Sequence, residues 1–181
     1  MKRNTSLSIA KYISDKLLID SSYRLQKMLY LVYLEYFERT GSYLFKHNFE
    51  AWIYGVCERN VFNYVKKNGL NFDSVKDLKL SETEMEILDY LIDKYNQYKS
   101  WELEQLNKET IQYRLQRMGL DDDEIVRRKI IIDTSHENYI HYYDVAIREL
   151  KKEIKRLTDD LFKFQCLSKK TKDKFYGKDK K

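Results

Sequence analysis

The sequence predicts a mainly α protein: a compact multi-helix domain with at most a short β segment, a long C-terminal heptad helix and a disordered lysine tail. Three observations carry this. The 181 residues include no proline and only five glycines, so the chain is poorly punctuated and favours long helices over a many-stranded sheet. Apolar residues recur at helical spacing in segment after segment. Hydrophobic residues make up 43% of the chain, enough at this length to hide a core without disulfides or metals. The expected division is a helical domain over 1–134, a long helix over 135–167 packed on it or extending from it, and a basic tail over 168–181.

Taken in order, residues 6–18 read as a first helix, with Leu7, Ile9, Ala10, Ile13 and Leu17 on a loose apolar face and Ser6 as its cap. Asp20, Ser21 and Ser22 break it and offer caps for a central helix over about 22–39. Leu25, Met28, Leu29, Val32 and Tyr36 form the stripe of that helix. Tyr30 and Tyr33 fall off the stripe and are expected as exposed contacts. Gly41 and Ser42 stop the helix. From Leu44 to Tyr54 the aromatics alternate, which allows a brief extended segment. A helix from about Glu58 to Lys67 follows, carrying Val61, Phe62, Tyr64 and Val65, and ends at Asn68-Gly69.

After a polar connector, Ser81 and Glu84 make a capping box for a helix that lines up Met85, Leu88, Leu91, Ile92 and Tyr95. Ser100 is expected to cap a shorter helix presenting Trp101, Leu103 and Leu106. Asp121–Glu124 looks like another helix start, and Ile130–Ile132 suits a short strand or an apolar turn. A second capping box, Thr134–Glu137, opens the last helix, which runs to about Phe164. Along it Tyr143, Ile147, Leu150, Ile154, Leu157, Leu161 and Phe164 are spaced 4, 3, 4, 3, 4, 3, a heptad seam. Two readings of the seam stand side by side. The helix lies across the bundle, or Ile147, Leu150, Ile154, Leu157 and Leu161 associate with a second copy or another partner.

The net charge of +5 is unevenly placed: residues 168–181 hold seven lysines against two aspartates, 7 − 2 = +5, which leaves residues 1–167 neutral. The basic balance therefore belongs to the tail and not to a patch on the fold. Sixteen tyrosines suit half-buried surfaces and interfaces, or equally the codon usage of an AT-rich genome. Cys57 and Cys166 lie far apart with no metal-type spacing and are expected as reduced thiols, Cys57 buried and inert. The N-terminal residues lack the apolar run of a signal peptide, and no stretch approaches the roughly 20 apolar residues of a membrane span. The expectation is a soluble, cytoplasmic protein.

Motifs for catalysis are missing. The glycines show no phosphate-loop spacing, and no G-x-S-x-G is present. His136 and His141 would point about 140° apart on a helix, which rules out a shared metal, and His47 is remote from both in sequence. Asp121–Glu124 lacks the alternate spacing and the glycine of a calcium loop. Glu50 and Glu58 read as two isolated carboxylates. No cofactor and no metal are expected. What remains is aromatic: Trp52, Tyr54 and Trp101 as anchors for a partner. Trp52 is expected in the core beside the central stripe; for Trp101 the pattern leaves core and contact both open.

One order of segments is more specific. Leu25, Gln26, Lys27, Leu29 and Tyr30 stand in a helix reading LQKMLY. Phe49, Ala51, Trp52, Tyr54 and Gly55, with Val56 or Cys57, stand in FEAWIYGVC, and a W-E-L segment begins at Trp101. This resembles the Panacea domain family, the SocA-like, phage-associated antitoxins, over about residues 7 to 142. The resemblance implies a small cytoplasmic antitoxin or proteolytic adaptor. Such a protein holds a cognate toxin, usually encoded next to it, by direct contact, and is not an enzyme. The family's proline after the Tyr-Gly pair is absent here, its Thr-His pair reads Asn107-Lys108, and Ile111-Gln112-Tyr113 stands near the place of a Pro-Trp. No site built on that histidine or those prolines is carried over. The alternative reading is a nucleic-acid-binding or regulatory protein that uses the lysine tail, with steeply salt-dependent binding.

Overall fold

The structure, a computed structural model, describes residues 4–46, 49–117, 120, 147–148 and 150–162. The chain falls into two units, Met1–Ser135 and His136–Lys181. The first runs α1 (Ser6–Leu17), α2 (Ser22–Thr40), β1 (Phe49–Trp52), β2 (Gly55–Glu58), α3 (Arg59–Asn68), α4 (Glu82–Asn96), α5 (Ser100–Glu109) and α6 (Ile111–Arg117). The protein is mainly α, as the sequence predicts, with one two-stranded antiparallel hairpin among the described residues.

The helix ends follow side-chain chemistry. The Ser21 hydroxyl accepts from the Arg24 amide at the start of α2, and Gly41, at φ 65°, closes it. Ser81 and Glu84 form the expected capping box on α4. For α1 the cap is Thr5 rather than Ser6, its hydroxyl accepting from the Ser8 amide at 3.1 Å. Lys99 takes the N-cap position of α5, and its amide donates to Glu102 at 2.7 Å; Ser100 is already helical. The connector after α3 is less polar than it reads, since Phe72 is buried and stacks on Tyr64 with ring centroids 5.3 Å apart.

Helix α2 is the axis of the first unit, packed against α1, α3, α4, α5 and β2. Every residue from Leu25 to Leu34 is buried. This overturns the expectation that Tyr30 and Tyr33 are surface contacts, because both are 0% exposed. Phe49 takes the edges of both rings, with centroids at 5.1 Å from Tyr30 and 5.0 Å from Tyr33, and Phe45 leans on Tyr33 at 4.9 Å. The Tyr30 hydroxyl is satisfied by the Thr110 hydroxyl at 3.1 Å. A stripe predicts burial on one side of a helix; here the hairpin and α5 cover the other side as well.

The hairpin pairs Phe49 with Glu58, Glu50 with Cys57, Ala51 with Val56 and Trp52 with Gly55. Ile53 and Tyr54 form the turn, and Gly55 leaves it at φ 88°, a conformation that side chains resist. Both faces of the hairpin are buried among its neighbours except at the Trp52 end.

In the second unit residues 147–148 and 150–162 are helical, and Ile147, Leu150, Ile154, Leu157 and Leu161 are exposed. Asp121–Glu124, Ile130–Ile132, the Thr134–Glu137 box, Tyr143, Phe164, the three histidines, Cys166 and the lysine tail lie outside the described residues. Among the described residues no helix is long and apolar enough to cross a membrane, and no cluster of side chains could hold a metal ion.

Candidate partner-binding pocket

Two helices present the same spacing to one cleft. On α2, Tyr23, Gln26 and Lys27 stand at i, i+3 and i+4; on α3, Phe62, Val65 and Lys66 do the same. The hairpin end, with Trp52, Tyr54, Gly55 and Cys57, lies between them, and Ser22 completes the lining. The cavity measures about 480 Å3, within the usual range of ligand pockets.

Local bonding holds each wall. Gln26 clamps the junction of β2 and α3: its amide oxygen accepts from the Glu58 N–H at 2.7 Å, and its amide nitrogen donates to the Glu58 carbonyl at 3.3 Å. Glu58 in turn caps α3, its carboxylate accepting from the Val61 amide at 2.7 Å and the Asn60 side chain at 3.1 Å. Trp52 is half-buried. Its indole donates to Glu50 at 2.8 Å, Phe62 packs edge-on at 4.7 Å, and the Arg59 guanidinium lies 5.6 Å from its ring. The Tyr113 hydroxyl donates to the Trp52 carbonyl at 2.8 Å, which ties α6 to the same end of the hairpin.

Lys27 decides the chemistry. It is 3% exposed, yet it forms no ion pair among the described residues. Its ammonium donates to the Val56 carbonyl at 3.3 Å and lies 5.0 Å from the Tyr23 ring. Gly55 makes its position possible: a Cβ there would stand 3.1 Å from Lys27 Nζ and 3.4 Å from Asn107 Cβ. Burial pushes the Lys27 amine down to about 8, Cys57 partly opposes the shift, and Lys108 adds to it. Burial likewise pushes the neighbouring Cys57 thiol up to about 12, so it is neutral at physiological pH, as expected of an inert cysteine. An apolar cleft around a poorly compensated cation is suited to binding.

Residues 25–111 match the model of a known family, described as antitoxin SocA-like, Panacea domain. The resemblance read from LQKMLY and FEAWIYG holds. No curated protein and no solved structure matches the chain. The Panacea match contains most of the pocket: of the lining residues only Ser22 and Tyr23 precede it.

The residues singled out by sequence separate into three groups. Leu25, Leu29, Tyr30, Phe49 and Ala51 are core. Gln26, Lys27, Trp52, Tyr54, Gly55 and Cys57 meet at the pocket. Trp52 is therefore a wall and not a fully buried core residue. Trp101 is 61% exposed on α5 and is not part of the lining. The heptad residues Ile147, Leu150, Ile154, Leu157 and Leu161 belong to the second unit. Glu50 and Glu58, which read as isolated carboxylates in the sequence, are 2% and 0% exposed and organise the hairpin end. A glutamate three residues before Val61, at a strand-to-helix junction, is the signal that would have revealed the cap. Tyr23, Val65 and Lys66 were legible only as the repeated i, i+3, i+4 spacing on two helices.

Proposed function

We propose that this chain is an antitoxin-like protein that binds a cognate protein toxin and neutralises it by direct contact in the cytoplasm, as an inhibitor or as an adaptor for proteolysis. The partner is a toxin encoded by an adjacent gene, of the kind found in phage and other mobile elements. The observation that carries the reading is the aromatic-walled pocket centred on Lys27, lying almost wholly within the Panacea match. Binding and occlusion need apolar anchor sites and charge complementarity, and the pocket offers both. Co-expression with the neighbouring reading frame tests the proposal. The expected result is co-purification of the two products and rescue of growth; a product that neither binds nor is neutralised overturns it.

The exposed seam extends this reading. With β-branched Ile147 and Ile154 at a and Leu150 and Leu157 at d, the order favours a parallel two-helix coiled coil, which supports the reading that this helix pairs with a second copy. Sedimentation of the full chain beside Leu150→Glu and Leu157→Glu checks this, the expected result being a dimer that the substitutions convert to monomer.

A further inference from the structure

We propose that the pocket captures the C-terminal residue of the bound protein partner, an apolar side chain filling the cleft and its free carboxylate meeting the Lys27 ammonium. This inference rests on the partner-binding reading above and names the part of the partner that is held.

Four observations converge on that chemistry. Lys27 is almost fully buried, and among the described residues one backbone carbonyl accepts from it, which leaves two of its three N–H donors for a ligand. The charged side chains of the lining, Lys27 and Lys66, are both cations, so the cleft is complementary to an anion. Ser22, the first residue of the 19-residue helix α2, also faces it, and the positive end of that helix adds to the same preference. The other walls are largely carbon: Trp52, Phe62, Val65 and the Tyr23 ring, with the Cys57 thiol kept neutral by burial.

A ligand that fits must carry an apolar body and an anion within the reach of one residue. A C-terminal residue does this by construction, since side chain and carboxylate branch from the same carbon. One buried ammonium suits a single charge. A phosphate would depend on the exposed Lys66 for its second charge, and the lining contains no arginine fork to receive its remaining oxygens. The near-complete burial of Lys27 argues against an internal acidic residue, whose peptide continues on both sides and would need its backbone polar groups satisfied against carbon walls. The hydrogen bond to the Val56 carbonyl places the Lys27 ammonium at the hairpin end of the cleft.

Peptide binding to the full chain, measured by calorimetry, tests the inference. The probes are acetyl-Gly-Ser-Ala-Leu-Phe as the free acid, the same peptide as its C-terminal amide, and an amidated peptide with an internal Glu-Phe pair. The expected result is that the free acid binds at least about tenfold tighter than either amide. Lys27→Met is expected to remove that preference, and Val65→Trp, which fills the cleft from α3, to abolish binding of the acid. Equal affinity of acid and amide, no binding of the acid, or tighter binding of the internal-glutamate peptide would each overturn the inference. The wild-type comparison needs no variant, so a misfolded substitution cannot obscure it. If the acid shows no preference while co-expression still rescues growth, this inference fails and the antitoxin reading stands. If the preference is seen but no neighbour product binds, the reverse holds.

Discussion

Helix α2 carries one buried and one partly buried charge eight residues apart, Lys27 and Glu35, and the fold treats them in opposite ways. Glu35 is surrounded: Lys94 lies at 2.6 Å, the Tyr95 hydroxyl donates at 2.6 Å and Arg39 at 2.7 Å. Burial pushes its carboxyl up, but the hydrogen bonds from Lys94, Tyr95 and Arg39 outweigh this and hold it below its ordinary value. Lys27 has a backbone carbonyl and an aromatic ring but, among the described residues, no carboxylate. The Glu35 cluster fastens α4 to α2, which is a structural task that it completes by itself. The Lys27 site has no carboxylate partner among the described residues, and on the inference above a partner's carboxylate completes it. A charge neutralised by its own fold serves the fold; a charge left without a carboxylate in an apolar cleft is what the partner inference above accounts for.

Gly55→Ala presses hardest on this contrast. The new methyl would meet Lys27 Nζ at 3.1 Å on a backbone at φ 88°, so we expect a loss of about 2–3 kcal/mol in urea denaturation. Adding Lys27→Met should recover part of that loss, since the atom in closest conflict is gone; strict additivity would show that the two residues are not in contact.

Glu35→Gln is expected to cost about 1–2 kcal/mol at neutral pH, because Lys94 and Arg39 lose their counter-charge while remaining partly in water. Its pH dependence has a definite sign. With the folded carboxyl titrating below 4.5, its contribution is fully present above that value and is lost as pH falls through the folded pKa. The stability gap between wild type and variant should therefore close on acidification.

The smallest effect has the opposite direction. Lys27→Met should stabilise the free chain by about 1 kcal/mol at pH 7, because an incompletely compensated buried cation is replaced by an apolar side chain of similar length. With the folded amine lowered to about 8 from 10.5, the unfolded chain binds more protons between those values, so wild-type stability gains on the variant as pH rises through that range. The comparison is read as a difference between the two proteins, since the Cys57 thiol and the buried tyrosines titrate in the opposite sense in both. A variant less stable than wild type at pH 7 would show that Lys27 serves the fold after all, and the contrast with Glu35 would collapse.

Much of this was legible beforehand because it is local. A serine three residues before a glutamate closes a capping box with no help from the rest of the chain, as Ser81 and Glu84 do. A glycine at the end of a helical pattern closes the helix at positive φ, as at Gly41 and Gly69, with Gly41 in the left-handed conformation. The LQKMLY and FEAWIYG segments pointed to the Panacea family by their order alone. The candidate site was only half legible. Gln26, Lys27, Trp52, Tyr54 and Gly55 could be named, but nothing within either segment said that they meet, or that Leu25, Leu29, Tyr30 and Phe49 beside them are core. Trp101 shows the converse, a tryptophan in a family segment that ends up in solvent.

By itself, then, the sequence determined the helical class, most helix ends and the resemblance to the Panacea domain, since caps, periodicity and motif order are set by residues a few positions apart. The tertiary structure decided which side of each helix is covered and which charges find partners. Those outcomes depend on packing across gaps of 29 residues for Lys27 and Val56 and 80 for Tyr30 and Thr110, distances at which no periodicity carries information. A buried lysine and a surface lysine are the same letter until the hairpin folds over one of them.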